Sequence, residues 1–158
     1  MSEVRKILDQ FRKAWAGDPF HGPPIRDILA GVSAQAAFSR PVAGAHSIAE
    51  IALHIATWED VTRRRLAGEV IDQLPDDQDW LTAGEGSEAR WDAIRRRVAD
   101  AHAALENEME AAPDTRLDDP VPTRDYDVRY MLHGALHHGL YHAGQIALLG
   151  KAAAAGNR

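Results

Sequence analysis

Apolar residues recur every three or four positions along four segments of the chain, with charged residues between them. This spacing gathers apolar side chains on one face of a helix, so it predicts four long amphipathic α-helices. They span Ser2 to about Ala16, Ser47 to about Ala67, Ser87 to about Glu110, and about Asp125 to about Gly150. The segments lack the period of two that is typical of β-strands. The pattern therefore predicts an all-α four-helix bundle.

Loops rich in glycine and proline join these helices, with long crossover connections. Two short helices, Ile25–Ala30 and Ala34–Phe38, are expected between the first and second long helices. The acidic loop Glu69–Gly86 carries Trp80, which is expected to plug the end of the core rather than to bind a ligand. Three prolines keep Ala111 to Asp125 out of helices. Ala152 to Arg158 is expected to fray.

The last predicted helix contains a histidine-rich stretch. His138 and His142 are four residues apart, so they project from one helix face, close enough to share a small ligand. In helical projection both lie about 20° from Met131, within the apolar stripe, and both are expected to face the core. Burial of each unpaired imidazole would cost about 1–3 kcal/mol. A shared metal ion would satisfy both.

A second pair with the same spacing, His133 and His137, projects about 200° and 240° from Met131. These two are therefore expected at the surface or at a subunit contact. A third candidate ligand, His54, borders the apolar stripe of the second long helix. Facing helices of a bundle can direct side chains to one metal ion, so His54 joins His138 and His142 as a candidate triad.

The composition of the chain argues against several classes of site and partner. A chain of 158 residues suits one domain, residues 1–158, with a hydrophobic core of its own. The net charge of −6 argues against a nucleic-acid surface, and the absence of cysteine excludes disulfides, thiolate ligands and a cysteine nucleophile. The sequence has no apolar run of membrane-spanning length. We expect a soluble, cytoplasmic protein without a membrane or nucleic-acid partner.

Three imidazoles leave the charge of a divalent ion uncancelled and a coordination position open, as in catalytic zinc sites. Zinc and nickel are both chemically suitable. Gly139 follows His138, so the HExxH motif of metalloproteases is absent. Glu50 is a weak candidate for a base, because its role in a capping box with Ser47 explains it without catalysis and is favoured. Gln145 is a weak candidate for orienting a bound water, since it projects about 20° from His138.

Three stretches of the chain resemble the DinB-like, also called YfiT-like, metal-binding four-helix bundles. They are His21-Gly22-Pro23, the segment from His46 to Trp58, and Tyr141-His142-Ala143-Gly144-Gln145-Ile146. The resemblance covers nearly the whole chain. It implies one metal-binding histidine on the second helix and an HxxxH pair on the fourth, which correspond to His54, His138 and His142.

The resemblance also implies a homodimer, and some relatives are transferases or isomerases that use low-molecular-weight thiols. We therefore expect a metal-dependent transferase acting on a small molecule with a small thiol. A metal-dependent hydrolase and a non-catalytic, stress-associated bundle that binds a small molecule or metal are the alternatives. His133, His137, Leu140 and Leu148 are candidate dimer contacts.

Overall fold

The computed structural model describes residues 2–156, and its regular elements are helices. They are α1 (Glu3–Ala16), α2 (Ile25–Ala30), α3 (Ala34–Phe38), α4 (Ile48–Leu66), α5 (Asp76–Asp79), α6 (Glu88–Ala111) and α7 (Val128–Gly156), with a 3₁₀ turn at Asp114–Arg116. Within residues 2–156 the β-type pairing is one isolated bridge, between Pro120 and Asp127. The predicted all-α fold is confirmed.

Serine side chains begin three of the four long helices, as predicted. Ser2, Ser47 and Ser87 each accept a hydrogen bond from the backbone amide three residues further on. At α4 the capping box is complete, because the Glu50 carboxylate also accepts from the Ser47 amide at 2.8 Å. Each cap satisfies an amide that the helix leaves unpaired, and a cap of this kind contributes about 1 kcal/mol.

The four long helices form a bundle in which α6 and α7 each pack against both α1 and α4. Two apolar clusters fill its interior. The amino-terminal halves of α4 and α6 share one cluster with the carboxyl-terminal half of α7, and the remaining halves share the second with α1. Helices α4 and α6 therefore run in the same direction, and α7 runs opposite to them.

Because α4 and α6 are parallel, the connection between them must return along about 28 Å of helix, the length of α4. Residues 67–87 make this crossover. The crossover contains α5, a single turn that the sequence pattern did not predict. It carries Asp79 and Trp80 back along the bundle to the middle of α4.

Buried polar side chains lie where the two apolar clusters meet. On α7, His138 and His142 fall between the two clusters, and on α6 His102 does so. On α4, His54 and Glu59 occupy the corresponding level, and both are buried. This polar layer contains the histidines that the sequence pattern singled out.

The predicted start of the last helix was three residues too early. Asp127 forms the bridge with Pro120, and its carboxylate accepts from the Tyr130 amide at 2.8 Å. Asp127 therefore caps the helix, and α7 begins at Val128 rather than at Asp125.

The predicted end of the last helix was also wrong. Helix α7 continues to Gly156 instead of ending near Gly150. Residues 152–155 are four alanines, and alanine has the highest intrinsic helix propensity, which explains why the helix continues instead of fraying. Asn157 and Arg158, which were also expected to fray, lie outside the described residues. None of the helices within residues 2–156 combines the length and the apolar character that crossing a bilayer requires.

Candidate metal centre

Three imidazoles converge between α4 and α7. The Nε2 atom of His138 lies 3.0 Å from Nε2 of His54 and 3.1 Å from Nε2 of His142. All three candidate ligand atoms lie within 4.8 Å of one another. His54 and His142 are buried, and His138 is partly buried. The structure thus brings together the three residues that the sequence analysis selected.

Hydrogen bonds on the far side of two rings fix their tautomers. Nδ1 of His54 lies 3.0 Å from the backbone oxygen of Asp79, and Nδ1 of His142 lies 2.6 Å from Oε1 of Gln145. Both partners are oxygens that can only accept, so each Nδ1 carries the hydrogen and donates. The Nε2 atom of each ring is therefore left with a lone pair directed at the other histidines.

The site also favours neutral imidazoles. Burial is the main cause that lowers the pKa of His138 to about 3, and the neighbouring His142 and His54 add to the effect. Burial likewise lowers the pKa of His142. At neutral pH these rings are uncharged, and uncharged imidazole is the form that binds metal ions.

A divalent ion fits this donor set. Tetrahedral zinc with Zn–N bonds of 2.0–2.1 Å requires ligand nitrogens about 3.3 Å apart. The two separations from Nε2 of His138, 3.0 and 3.1 Å, are close to that value, and all three ligand atoms lie within 4.8 Å of one another. The Nε2 lone pairs of His54 and His142 both point at Nε2 of His138, an arrangement that needs a cation or a proton between the nitrogens, so His54, His138 and His142 would hold such an ion.

Asp79 is the partner that the sequence analysis missed. Its Oδ1 lies 3.0 Å from Nδ1 of His54 and accepts a hydrogen bond of 2.7 Å from the indole of Trp58. Backbone and carboxylate of one residue thus both contact the same imidazole nitrogen. A carboxylate behind a ligand histidine fixes the ring and raises its basicity, which strengthens metal binding.

Trp80 covers the outer face of the site. Its indole stacks on His54 with ring centroids 3.9 Å apart, and on His46 at 3.6 Å on the other face. Trp80 also packs against the first apolar cluster, but it lies beside the histidines at the wall of a cavity rather than at the end of the core, where the sequence analysis expected it. In addition it shields one face of a candidate ligand from water.

A cavity of about 520 Å³ opens beside the histidines. Its volume lies in the range of small-molecule sites. Aromatic and apolar side chains form much of the wall, including Trp58, Tyr130, Met131 and Tyr141. The open side of the candidate metal centre therefore faces a space large enough for a substrate.

The family model of the DinB superfamily matches residues 25–146. The chain belongs to the DinB superfamily. The match contains all three histidines, Asp79 and Gln145, whereas His21-Gly22-Pro23 precedes it. Comparisons with curated proteins and with solved structures gave no match.

Glu50, one of the two weak catalytic candidates, does not line the cavity of this DinB protein. Its carboxylate completes the capping box and pairs with Arg40 at 2.6 Å. The capping role that the sequence favoured is confirmed.

Gln145, the other weak candidate, contacts a different histidine from the one expected. Helical projection placed it near His138, but its oxygen accepts from His142. One-turn neighbours on a helix contact each other more readily than residues seven apart, even when the projection angle is small. Gln145 is therefore placed to orient an imidazole.

His133 and His137, the second pair of histidines with ligand spacing, lie outside the site. His133 is partly buried and His137 is exposed, and their ring centroids are 6.2 Å apart. Neither belongs to the cluster of candidate ligands within residues 2–156. Their surface location agrees with the expectation from the helical projection.

A further buried histidine in the polar layer was not recognised from the sequence. His102 stacks on Phe11 at 4.5 Å and on Trp15 at 4.6 Å, and its Nδ1 lies 3.1 Å from Oε1 of Glu59. Its Nε2 lies 3.0 Å from Oε1 of Glu106, but with an angle unsuited to a hydrogen bond. This group lies on the α1 and α6 side of the bundle, away from the three-histidine site.

Proposed function

We propose that this DinB protein is a metal-dependent transferase that joins a small thiol to a small electrophilic substrate. The observation that carries the proposal is the convergence of three imidazole Nε2 atoms at the wall of an open, largely apolar cavity. Closed four-ligand sites are structural, whereas sites with three protein ligands leave a position for water or substrate.

Different residues at this site would hold the ion and orient its ligands. His54, His138 and His142 would hold the ion, and Asp79 and Gln145 keep two of the rings oriented. A divalent ion bound there would supply Lewis-acid chemistry, which lowers the pKa of water to about 7 and deprotonates thiols. Trp80 limits the access of water from one side.

The preference for a thiol has two supports. The chain contains no cysteine, so a sulfur nucleophile must come from a second substrate. The motifs around His54 and His142 resemble a family in which some members use low-molecular-weight thiols. The apolar wall of the cavity suits an electrophile of low polarity.

Hydrolysis is the second candidate, and the carboxylates near the histidines argue against it. Asp79 is the acidic residue that lines the cavity, and its Oδ1 already contacts Trp58 and His54. Glu50 is engaged in the capping box. A hydrolase of the HExxH type needs a carboxylate free to accept a proton from water.

The test compares two reactions on the same preparations. Conjugation of glutathione and of cysteine to a chloronitroaromatic electrophile is measured beside hydrolysis of a nitrophenyl ester, with zinc, with nickel and after chelation. The proposal expects metal-dependent conjugation that is lost in His54→Ala and kept in the matched surface variant His133→Ala. Metal-dependent hydrolysis alone would favour the second candidate. Metal binding without either reaction would leave a non-catalytic binding protein.

We further propose a homodimer that uses the exposed face of α7. Three large exposed side chains, Tyr130, Tyr141 and Leu148, lie within about 20° of one another in helical projection, with His137 beside them. An exposed stripe of large apolar side chains along one helix face is typical of a protein contact. Leu140, which was also a candidate contact, instead packs partly against the protein's own second apolar cluster.

A further inference from the structure

Arg65 is a buried cation at the opposite end of the cavity from the histidines. It lies eleven residues after His54 on α4, which corresponds to about 16 Å along the helix. Only 4% of the residue is exposed, and it lines the same cavity as His54 and His138. The cavity is therefore elongated, with candidate metal ligands at one end and a guanidinium at the other.

Neutral oxygens are the acceptors of this guanidinium. Its Nε and Nη2 donate to the backbone oxygen of Ile71, Nη2 also donates to that of Asp72, and Nη1 donates to the Tyr126 hydroxyl. No carboxylate of residues 2–156 lies within 4.0 Å of the Arg65 nitrogens. A desolvated cation whose acceptors are neutral keeps a strong attraction for an anion.

Two donors at this end of the cavity have no acceptor among residues 2–156. A guanidinium has five N–H groups, and the contacts of Arg65 leave one hydrogen on Nη1 without an acceptor. The Tyr126 oxygen accepts from Arg65, so its own hydrogen is available to another acceptor. A carboxylate has two oxygens and can accept from both groups.

A second arginine strengthens the positive character of this end. Arg124 has a buried Nε that has no hydrogen-bond partner within the described part of the chain. Burial lowers the pKa of Arg65, and the nearby charge of Arg124 lowers it further. The acid in this region, Asp72, is 80% exposed at its side chain and lies 3.8 Å from Arg124. One solvated carboxylate therefore faces two arginines.

We propose that Arg65 and Tyr126 bind a carboxylate of the substrate, whose reacting end faces the three histidines. The inference rests on the proposed function for the identity of the reacting end. It assigns the substrate class as an elongated small molecule with an apolar middle and a carboxylate at one end. Trp58, Tyr130 and Met131 line the path between the two ends and would contact the apolar middle.

The experiment measures binding of a matched pair, phenylbutyrate and phenylbutanol, by titration calorimetry. The two differ in charge and hydrogen-bonding capacity but have the same apolar part. The wild-type protein should bind the acid at least about tenfold more tightly, as expected for hydrogen bonds to a charged group. Equal affinities would overturn the proposal.

Arginine variants test whether Arg65 causes the preference for the acid over the alcohol. Arg65→Met should abolish the preference for the acid, whereas Arg64→Met should keep it. Arg64 is the matched control, because it lies on the same helix and carries the same charge but pairs with Glu69 outside this cavity. Tyr126→Phe removes the second donor and should reduce the preference several-fold, and it decides the question if Arg65→Met does not fold by circular dichroism. An unchanged preference in Tyr126→Phe would then contradict the proposal.

A histidine variant separates this inference from the proposed function. The preference for the acid should persist in His138→Ala/His142→Ala, in which the candidate metal centre is removed. If the preference is instead lost there and kept in Arg65→Met, the carboxylate binds at the histidines and the Arg65 assignment is wrong. Absence of transferase activity in the wild type would leave the binding preference intact.

Discussion

Asp79 Oδ1 lies 3.0 Å from Nδ1 of His54, although 25 residues separate the two in the chain. The contact exists because the crossover between the parallel helices α4 and α6 returns past the middle of α4. We expect Asp79→Ala to weaken zinc binding about tenfold, at the lower end of the usual effect of such partners. The loss of zinc affinity should be small because the backbone oxygen of residue 79 can still accept from His54. Competition with a chromogenic chelator measures the affinity.

Asp77→Ala is the matched control for this prediction. Asp77 belongs to the same short helix, α5, but is exposed and does not line the cavity. The substitution Asp77→Ala removes the same charge at a similar place on the surface. Equal zinc affinities in the two variants would show that the carboxylate of Asp79 does not support His54.

Metal stoichiometry tests the triad directly. Three nitrogen donors provide one site, so the purified protein should contain about one divalent ion per chain. His138→Ala/His142→Ala should lose it, whereas His133→Ala/His137→Ala has the same composition change on the surface and should keep it. Elemental analysis after dialysis measures the metal content. Loss of metal only from His133→Ala/His137→Ala would mean that His133 and His137 are the ligands.

The sequence was sufficient for those parts of the fold and site that depend on local rules. A helix places residues four apart on one face, and the serine caps mark where helices begin. The pattern therefore predicted three long helices to within a residue or two, and placed His138 and His142 on the side that faces His54.

Non-local contacts could not be obtained in this way. The crossover loop contains Asp72, Asp76, Asp77 and Asp79, and nothing in their sequence distinguishes the one that reaches His54. The adjacent Trp80 was the available signal, because a large aromatic in an acidic loop needs a surface to cover. His102 was missed for a related reason, since its burial depends on stacking with side chains of α1.

The proposed dimer predicts a mass near twice the 17.3 kDa of one chain. Light scattering at low micromolar concentration should show this mass for the wild type. Charge placed on the exposed stripe, as in Leu148→Glu, should shift the protein to the monomer, because burial of an unpaired charge opposes association. Val70→Glu places the same charge at another exposed apolar residue and should leave the mass unchanged. A wild-type mass of one chain would contradict the proposal.

Glu59 should make the stability of the protein depend on pH. Burial raises the pKa of this carboxyl above its ordinary value of 4.5, against the opposing effect of its hydrogen bond with His102. One of its oxygens, Oε2, is buried and has no hydrogen-bond partner among the residues that the structure describes. Between pH 4.5 and the raised pKa, the native protein binds a proton that the unfolded chain has released. The free energy of unfolding should therefore fall by up to about 1.4 kcal/mol per pH unit as the pH rises through this window.

Glu59→Gln removes this titration while keeping an oxygen that can accept from Nδ1 of His102. The stability of the variant relative to wild type should therefore increase as the pH rises above 4.5, and the difference should become constant once Glu59 is ionised in the native state. Urea unfolding at a series of pH values measures both proteins, with Glu85→Gln as the control at an exposed position. A difference between Glu59→Gln and wild type that does not change with pH would show that the native carboxyl titrates as in the unfolded chain. The buried oxygen of Glu59 would then have to be solvated or paired in solution, because an ionised carboxylate without either would shift its pKa upward.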